Sequence, residues 1–115
     1  MIFIIEDDQN FANCLARYVG DEKFKIFTNV VDAVHEIDAE LPKLIFLDVL
    51  LTGPDGFTLL HELASYPDTA KIPIVIVSSL DFHGADLSIY GVVGILNKDT
   101  LTPKEVQKYV QRYSN

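Results

Sequence analysis

Leu44-Ile45-Phe46-Leu47-Asp48-Val49-Leu50-Leu51-Thr52-Gly53-Pro54-Asp55-Gly56 is the stretch whose reading decides the fold. Four apolar residues run into Asp48 with no polar residue between them. That is the pattern of a strand buried on both faces, as in a parallel sheet covered by helices. Thr52 to Gly56 is a cluster of turn formers, so the strand ends near Asp48 and a tight loop follows. In open sheets of this kind ligands sit beyond the carboxyl ends of the strands. Asp48 stands at that edge.

The same strand-then-helix rhythm extends to both sides. Ile2 to Ile5 reads as a strand that ends in Glu6, Asp7 and Asp8, with Asp8 as the N-cap of a helix. Phe11, Cys14, Leu15 and Tyr18 form the apolar stripe of that helix, and Gly20 ends it. Phe24 to Phe27 is a second strand. Asn29 caps a second helix with Val30, Val34, Ile37 and Leu41 on one stripe, and Pro42 stops it. After Asp48 a third helix carries Phe57, Leu60, Leu63 and Ala64. Pro73 introduces a fourth strand, Ile74 to Val77, ending in Ser78-Ser79. Residues 84–90 read as a weak fourth helix between Gly84 and Gly91. Gly94 to Leu96 is a short fifth strand, followed by Asn97, Lys98 and Asp99. Thr102-Pro103-Lys104-Glu105 is a capping box with Pro at the first helical position. It opens a last helix with Val106, Tyr109, Val110 and Tyr113 on one stripe. Five strands alternating with five helices, joined by right-handed crossovers, give an α/β fold: one doubly wound parallel sheet with helices on both faces.

Composition agrees with one small domain spanning residues 1–115. Hydrophobic residues make up 49% of the 115, enough for a packed core. The apolar runs are too short to span a bilayer, and no basic segment followed by an apolar one opens the chain, so neither a membrane helix nor a signal peptide is expected. The lone Cys14 excludes an internal disulfide and fits a reducing cytoplasm. A formal net charge of −8 argues against direct nucleic-acid binding, which needs a basic patch, and agrees with a site that holds a cation.

Four strands end in groups that can do chemistry, and a parallel sheet delivers them all to one edge. The first brings Glu6 and Asp7, the third Asp48, the fourth Ser78 and the fifth Lys98. Crowded carboxylates repel one another, which favours protonation or a bound cation. Oxygen ligands with few donors suit Mg²⁺, which keeps several waters and often shares its shell with a phosphoryl group. Lys98 is a point charge suited to a phosphoryl oxygen, and Ser78 offers a hydroxyl. Asp48 is then a nucleophile that can form an aspartyl phosphate.

These residues resemble the response-regulator receiver domain of two-component signalling. The likeness covers essentially the whole chain. It rests on Glu6-Asp7-Asp8, on Asp48 with Asp55-Gly56, on Ser78 after Pro-Ile-Val-Ile-Val, and on Lys98 after Gly-Ile-Leu-Asn. The resemblance implies a flavodoxin-like strand order, 2-1-3-4-5. It implies that Asp48 takes a phosphoryl group from a histidine kinase or histidine phosphotransfer protein and switches a downstream protein or attached effector domain. Mg²⁺ would be held by Asp7, Asp48 and the backbone carbonyl of Leu50, with Glu6 acting mostly through water. Lys98 would pair with Asp48 at rest and with the phosphoryl group afterwards, and Ser78 would swing in to hydrogen-bond that group. Such a domain is no enzyme beyond self-phosphorylation from small donors and self-dephosphorylation. Two departures stand out. Ile95 holds the place of an aromatic in the fifth strand, and the stretch from Ser78 to Gly91 is short. Both features also suit an alternative, a receiver-like binding module no longer regulated by phosphorylation.

Overall fold

The structure, a computed structural model, describes residues 1–49, 56–79 and 87–114. Its order is β1 (Ile2–Ile5), α1 (Gln9–Val19), β2 (Phe24–Phe27), α2 (Val30–Ala39), β3 (Leu44–Leu47), α3 (Gly56–Ala64), β4 (Ile74–Ser78), a 3-10 turn (Ser88–Tyr90), β5 (Val92–Asn97) and α4 (Pro103–Tyr113). The five strands are parallel, in the order β2-β1-β3-β4-β5. Fold class and strand order are those expected from the sequence.

The unbroken apolar runs of β1, β3 and β4 are explained by two cores. Successive side chains of a strand point to opposite faces. Phe3, Ile5, Ile45, Leu47, Ile74 and Ile76 therefore meet Val30, Ala33 and Ile37 of α2 and Leu59, Leu60 and Leu63 of α3. Ile2, Ile4, Leu44, Phe46, Val75 and Val77 meet Ala12, Leu15 and Val19 of α1 and Val106 and Val110 of α4. Each strand serves both layers, so none of its residues can be polar before it reaches the carboxyl edge.

The helix ends follow their caps. The Asp8 side chain accepts from the N–H groups of Asn10 and Phe11, that of Asn29 accepts from Asp32, and Thr102 and Glu105 close the capping box. Leu41, expected on the stripe of α2, lies beyond the helix end and is exposed. Val30, Val34 and Ile37 face the core as expected, and Ala33 joins them in place of Leu41.

Two expectations change at the fifth strand. The helix read over 84–90 is reduced, in its described part, to the 3-10 turn Ser88–Tyr90; residues 84–86 fall outside the described segments. Leu87 and Tyr90, three residues apart, pack onto the core under α2 and α3 while Ile89 between them is exposed, the spacing of a single helical turn. The described residues thus hold four α-helices. β5 is also longer than Gly94 to Leu96. Its pairing with β4 runs Ile74 to Val92 and then Val75 to Gly94, so Val93 is an extra, bulged residue that interrupts the alternation. At Gly94 the Tyr109 ring of α4 lies directly on the strand, where a Cβ would collide with it.

Gly56 fixes how α3 starts. Its N–H donates to the Val49 carbonyl at 3.1 Å, and a Cβ there would lie 2.5 Å from the Val49 Cα and 2.7 Å from the Asp48 carbonyl oxygen. These are backbone atoms that cannot move aside without moving Asp48. Gly56→Ala is accordingly expected to cost about 1–3 kcal/mol of unfolding free energy. Urea denaturation measures it, and an unchanged midpoint would contradict this packing. Among the described residues no helix is long and apolar enough to cross a membrane.

Candidate functional site

The carboxyl edge of the sheet assembles the site through the backbone ladder itself. The N–H of Glu6 donates to the Phe27 carbonyl (2.9 Å), that of Asp48 to Ile5 (3.0 Å), and that of Lys98 to Ser78 (3.1 Å). Glu6, Asp48, Ser78 and Lys98 are therefore anchored by hydrogen bonds that close one strand against its neighbour. Glu6, Asp48 and Ser78 are buried, while Asp7 is exposed. Ser78 is the last residue of β4 and pairs with Asn97, which places it beside the start of the Lys98 loop.

The structure brings Glu6, Asp7, Asp48 and Lys98 together. One carboxylate oxygen each from Glu6, Asp7 and Asp48 lies within 4.8 Å of the others. Lys98 Nζ sits 2.5 Å from Glu6 Oε1 and 3.1 Å from Asp48 Oδ2. Only the second contact is aligned as a hydrogen bond; the first is an ion pair by proximity. Glu6 Oε2 accepts from the Asp8 N–H at 3.1 Å, which ties the end of β1 to the cap of α1. Leu50, whose backbone carbonyl is the remaining expected ligand, and Asp55 lie outside the described residues.

Two features of this site were not legible in the sequence. Lys98 was expected to rest on Asp48, yet it bridges Asp48 and Glu6 and lies nearer to Glu6. The Phe11 ring, read as part of the apolar stripe of α1, has Lys98 Nζ 4.9 Å from its centroid. A clue to the second was present: Phe11 is the first stripe residue after the Asp8 cap, so α1 carries it close to the sheet edge.

Electrostatically the site is short of positive charge. Burial is the largest influence on Glu6 and pushes its carboxyl up to about 7; Lys98 and the Asp8 N–H pull it down, and the Asp48 charge raises it again. For Lys98, burial alone would lower the ammonium, but its pairing with the Glu6 and Asp48 carboxylates outweighs it and holds the group above the ordinary lysine value. Among the described residues one ammonium meets a cluster of three carboxylates, so an oxygen-seeking divalent cation fits: the donors are all carboxylate oxygens, close together, and Asp7 opens to solvent where waters can complete a shell.

The raised Glu6 value has a consequence for the metal-free protein. The native state binds this proton more tightly than the unfolded chain, whose ordinary value is 4.5. The stability so gained is present in full below that value and is lost as pH rises through about 7. In a chelator, wild type should lose on the order of 1–3 kcal/mol relative to Glu6→Gln between about pH 5 and about pH 8. Urea denaturation of both proteins across that range is the measurement, and parallel profiles would contradict the assignment.

Comparison with known proteins shows the family and the fold. A family model described as the response regulator receiver domain matches residues 2–111. Response regulator PleD of Caulobacter vibrioides is 31% identical over 85 residues, a match covering 72% of this chain and 19% of that protein. Protein-glutamate methylesterase/protein-glutamine glutaminase 2 of Oleidesulfovibrio alaskensis is 34% identical over 112 residues, covering 90% of this chain and 31% of that one. The chain thus spans less than a third of the length of either relative. The crystal structure of the signal receiver domain of a DNA binding response regulator from Colwellia psychrerythraea 34H matches with a TM-score of 0.83 at 27% identity, covering 99% of this chain and 98% of that one.

Proposed function

The chain belongs to the response regulator receiver domain family, and we propose that residues 1–115 act in a phosphorelay by accepting a phosphoryl group on Asp48 in a Mg²⁺-dependent reaction. The observation that carries the reading is the placement of the Asp48 carboxylate. It is buried at the end of the central strand, 3.1 Å from Lys98 Nζ and among the oxygens of Glu6 and Asp7.

The donor is the phosphohistidine of a histidine kinase or histidine phosphotransfer protein. An Asp48 carboxylate oxygen attacks the phosphorus in line with the P–N bond. That bond breaks, its electron pair leaves on the imidazole nitrogen, and an acyl phosphate remains on Asp48. Asp7, Asp48 and the Leu50 carbonyl would hold Mg²⁺, with Glu6 supporting it through water; the ion supplies charge neutralisation at the transferring group. Lys98 moves its hydrogen bond from Asp48 to a phosphoryl oxygen and keeps Glu6 as its second partner. The Ser78 hydroxyl hydrogen-bonds the phosphoryl group. Its movement draws on the loop after β4 and so informs a downstream protein or attached effector. The reading includes a cytoplasmic setting, no direct nucleic-acid contact by this domain, and no activity on other molecules. Turnover is limited to self-phosphorylation from small donors and self-dephosphorylation.

Incubation with a small phosphoramidate donor tests it. Intact-mass measurement should show one added phosphoryl group in Mg²⁺ and none in chelator. Equal labelling in chelator would overturn the metal-dependent mechanism.

A further inference from the structure

We propose that Phe11 is a positioning residue for Lys98, holding the ammonium with its ring face while the ammonium exchanges one oxygen partner for another. The inference rests on the reading of Asp48 as phosphoacceptor and adds a part to that site.

The geometry points to it directly. Among the described residues Lys98 Nζ has two carboxylate neighbours and one ring: Glu6 Oε1 at 2.5 Å, Asp48 Oδ2 at 3.1 Å and the Phe11 ring centroid at 4.9 Å. The lysine side chain is only 18% exposed, so most of its hydration has been replaced by these neighbours. An ammonium within about 6 Å of a ring centroid is attracted to the negative face of the ring, more strongly when water is excluded. Phe11 is itself half-buried and packed against the core between the sheet, α1 and α4, so its ring is fixed from behind. It is fixed from below as well, because it lies three residues past the Asp8 cap and its own N–H is bound by the Asp8 side chain.

The chemistry explains why a ring serves here. During transfer Lys98 must release Asp48 and take up a phosphoryl oxygen while remaining desolvated. A further carboxylate as third neighbour would hold the ammonium but would repel the incoming phosphoryl group. A purely aliphatic wall would exclude water but attract nothing. An aromatic face attracts the cation, adds no net charge and imposes no hydrogen-bond direction, so the ammonium can turn from one oxygen to another against it. Without the ring, water reaches Lys98 and the ammonium samples more orientations; the site is then less organised at the moment charge develops.

Three replacements at position 11 separate this role from simple space filling. Phe11→Leu keeps an apolar side chain, Phe11→Tyr keeps the ring face, and pentafluorophenylalanine keeps the ring shape while reversing the sign of its face. Phosphoryl uptake from a small phosphoramidate in Mg²⁺ should slow by about threefold to tenfold in Phe11→Leu and in the fluorinated protein, and stay within about twofold of wild type in Phe11→Tyr. All three should unfold cooperatively in urea. Loss in Phe11→Leu with full activity in the fluorinated protein would reduce Phe11 to a filler and overturn the inference, as would an unchanged rate in Phe11→Leu. The Lys98 ammonium resonances in the unphosphorylated protein supply a readout independent of the phosphorylation site. Their exchange with solvent should quicken in Phe11→Leu and the fluorinated protein but not in Phe11→Tyr. If wild type proved to be labelled elsewhere than Asp48, the functional reading would fail, while these resonances would still decide whether the ring holds Lys98.

Discussion

Lys98→Met should slow phosphoryl uptake by about a hundredfold or more, the loss that follows when a fixed donor at developing charge is removed from a dry site. Met keeps the length and apolar stem of the side chain but carries no charge. What is lost is the positive charge that sits against Glu6 and Asp48, placed 3.1 Å from the proposed nucleophile. A divalent cation could still neutralise part of the phosphoryl charge, so the reaction should be slowed rather than abolished. The same substitution leaves Glu6 buried without its ammonium. Taking one partner from a buried pair strands the other charge, which is strongly destabilising unless the group neutralises. Lys98 is one of the influences that lower the Glu6 carboxyl, so without it Glu6 holds its proton to higher pH. The metal-free variant should therefore be close to wild type in mildly acidic buffer and increasingly less stable above neutrality. Lys98→Arg retains charge but not shape. A planar guanidinium cannot occupy the point between Glu6 Oε1, Asp48 Oδ2 and the Phe11 ring that a compact ammonium fills, so only part of the rate should return. Stopped-flow or quench measurements of uptake would check this; a Lys98→Met rate within about threefold of wild type would contradict it.

Asp7→Asn should weaken Mg²⁺ binding on the order of a hundredfold, well beyond the loss in Glu6→Gln or Asp8→Asn. The three acids are adjacent in sequence but have different occupations. Asp8 is spent on the N–H groups of Asn10 and Phe11 as the cap of α1. Glu6 is buried, faces Lys98 through Oε1 and accepts from the Asp8 N–H through Oε2. Asp7 is exposed at the strand end and has a carboxylate oxygen within 4.8 Å of both Glu6 and Asp48. It can therefore serve a cation that arrives with part of its water shell. Titration of the three variants with Mg²⁺ checks the order. Equal losses in all three, or the largest at Asp8, would contradict it.

The parts of this molecule written locally in the sequence were readable there. The caps Asp8, Asn29 and Thr102 depend on a side chain meeting an N–H two or three residues away, so residue type and position were enough. The runs before Glu6 and Asp48 needed no polar alternation because each strand faces two cores. The convergence of Glu6, Asp7, Asp48 and Lys98 followed, since a parallel sheet brings the ends of its strands to one edge. What escaped depends on contacts between distant residues. β5 was cut short because the bulge at Val93 breaks its period, and that bulge is set by pairing with β4. The short turn at Ser88–Tyr90 is held by the packing of Leu87 and Tyr90 on the core under α2 and α3, which a helical wheel of residues 84–90 does not contain. Lys98 reaches Glu6 as well as Asp48 because β1 lies next to β3, a distance that no spacing in the chain expresses.

The central claim is that Asp48 is the residue that carries the phosphoryl group. An acyl phosphate is reduced by borohydride to the corresponding alcohol, which marks the modified aspartate permanently and allows it to be placed by peptide sequencing. After treatment with a phosphoramidate donor in Mg²⁺ and quenching with borohydride, the mark should appear at Asp48 alone, and Asp48→Asn should acquire none. A mark at Glu6, Asp7 or any other acid in the wild-type protein, or undiminished marking of Asp48→Asn, would contradict the account.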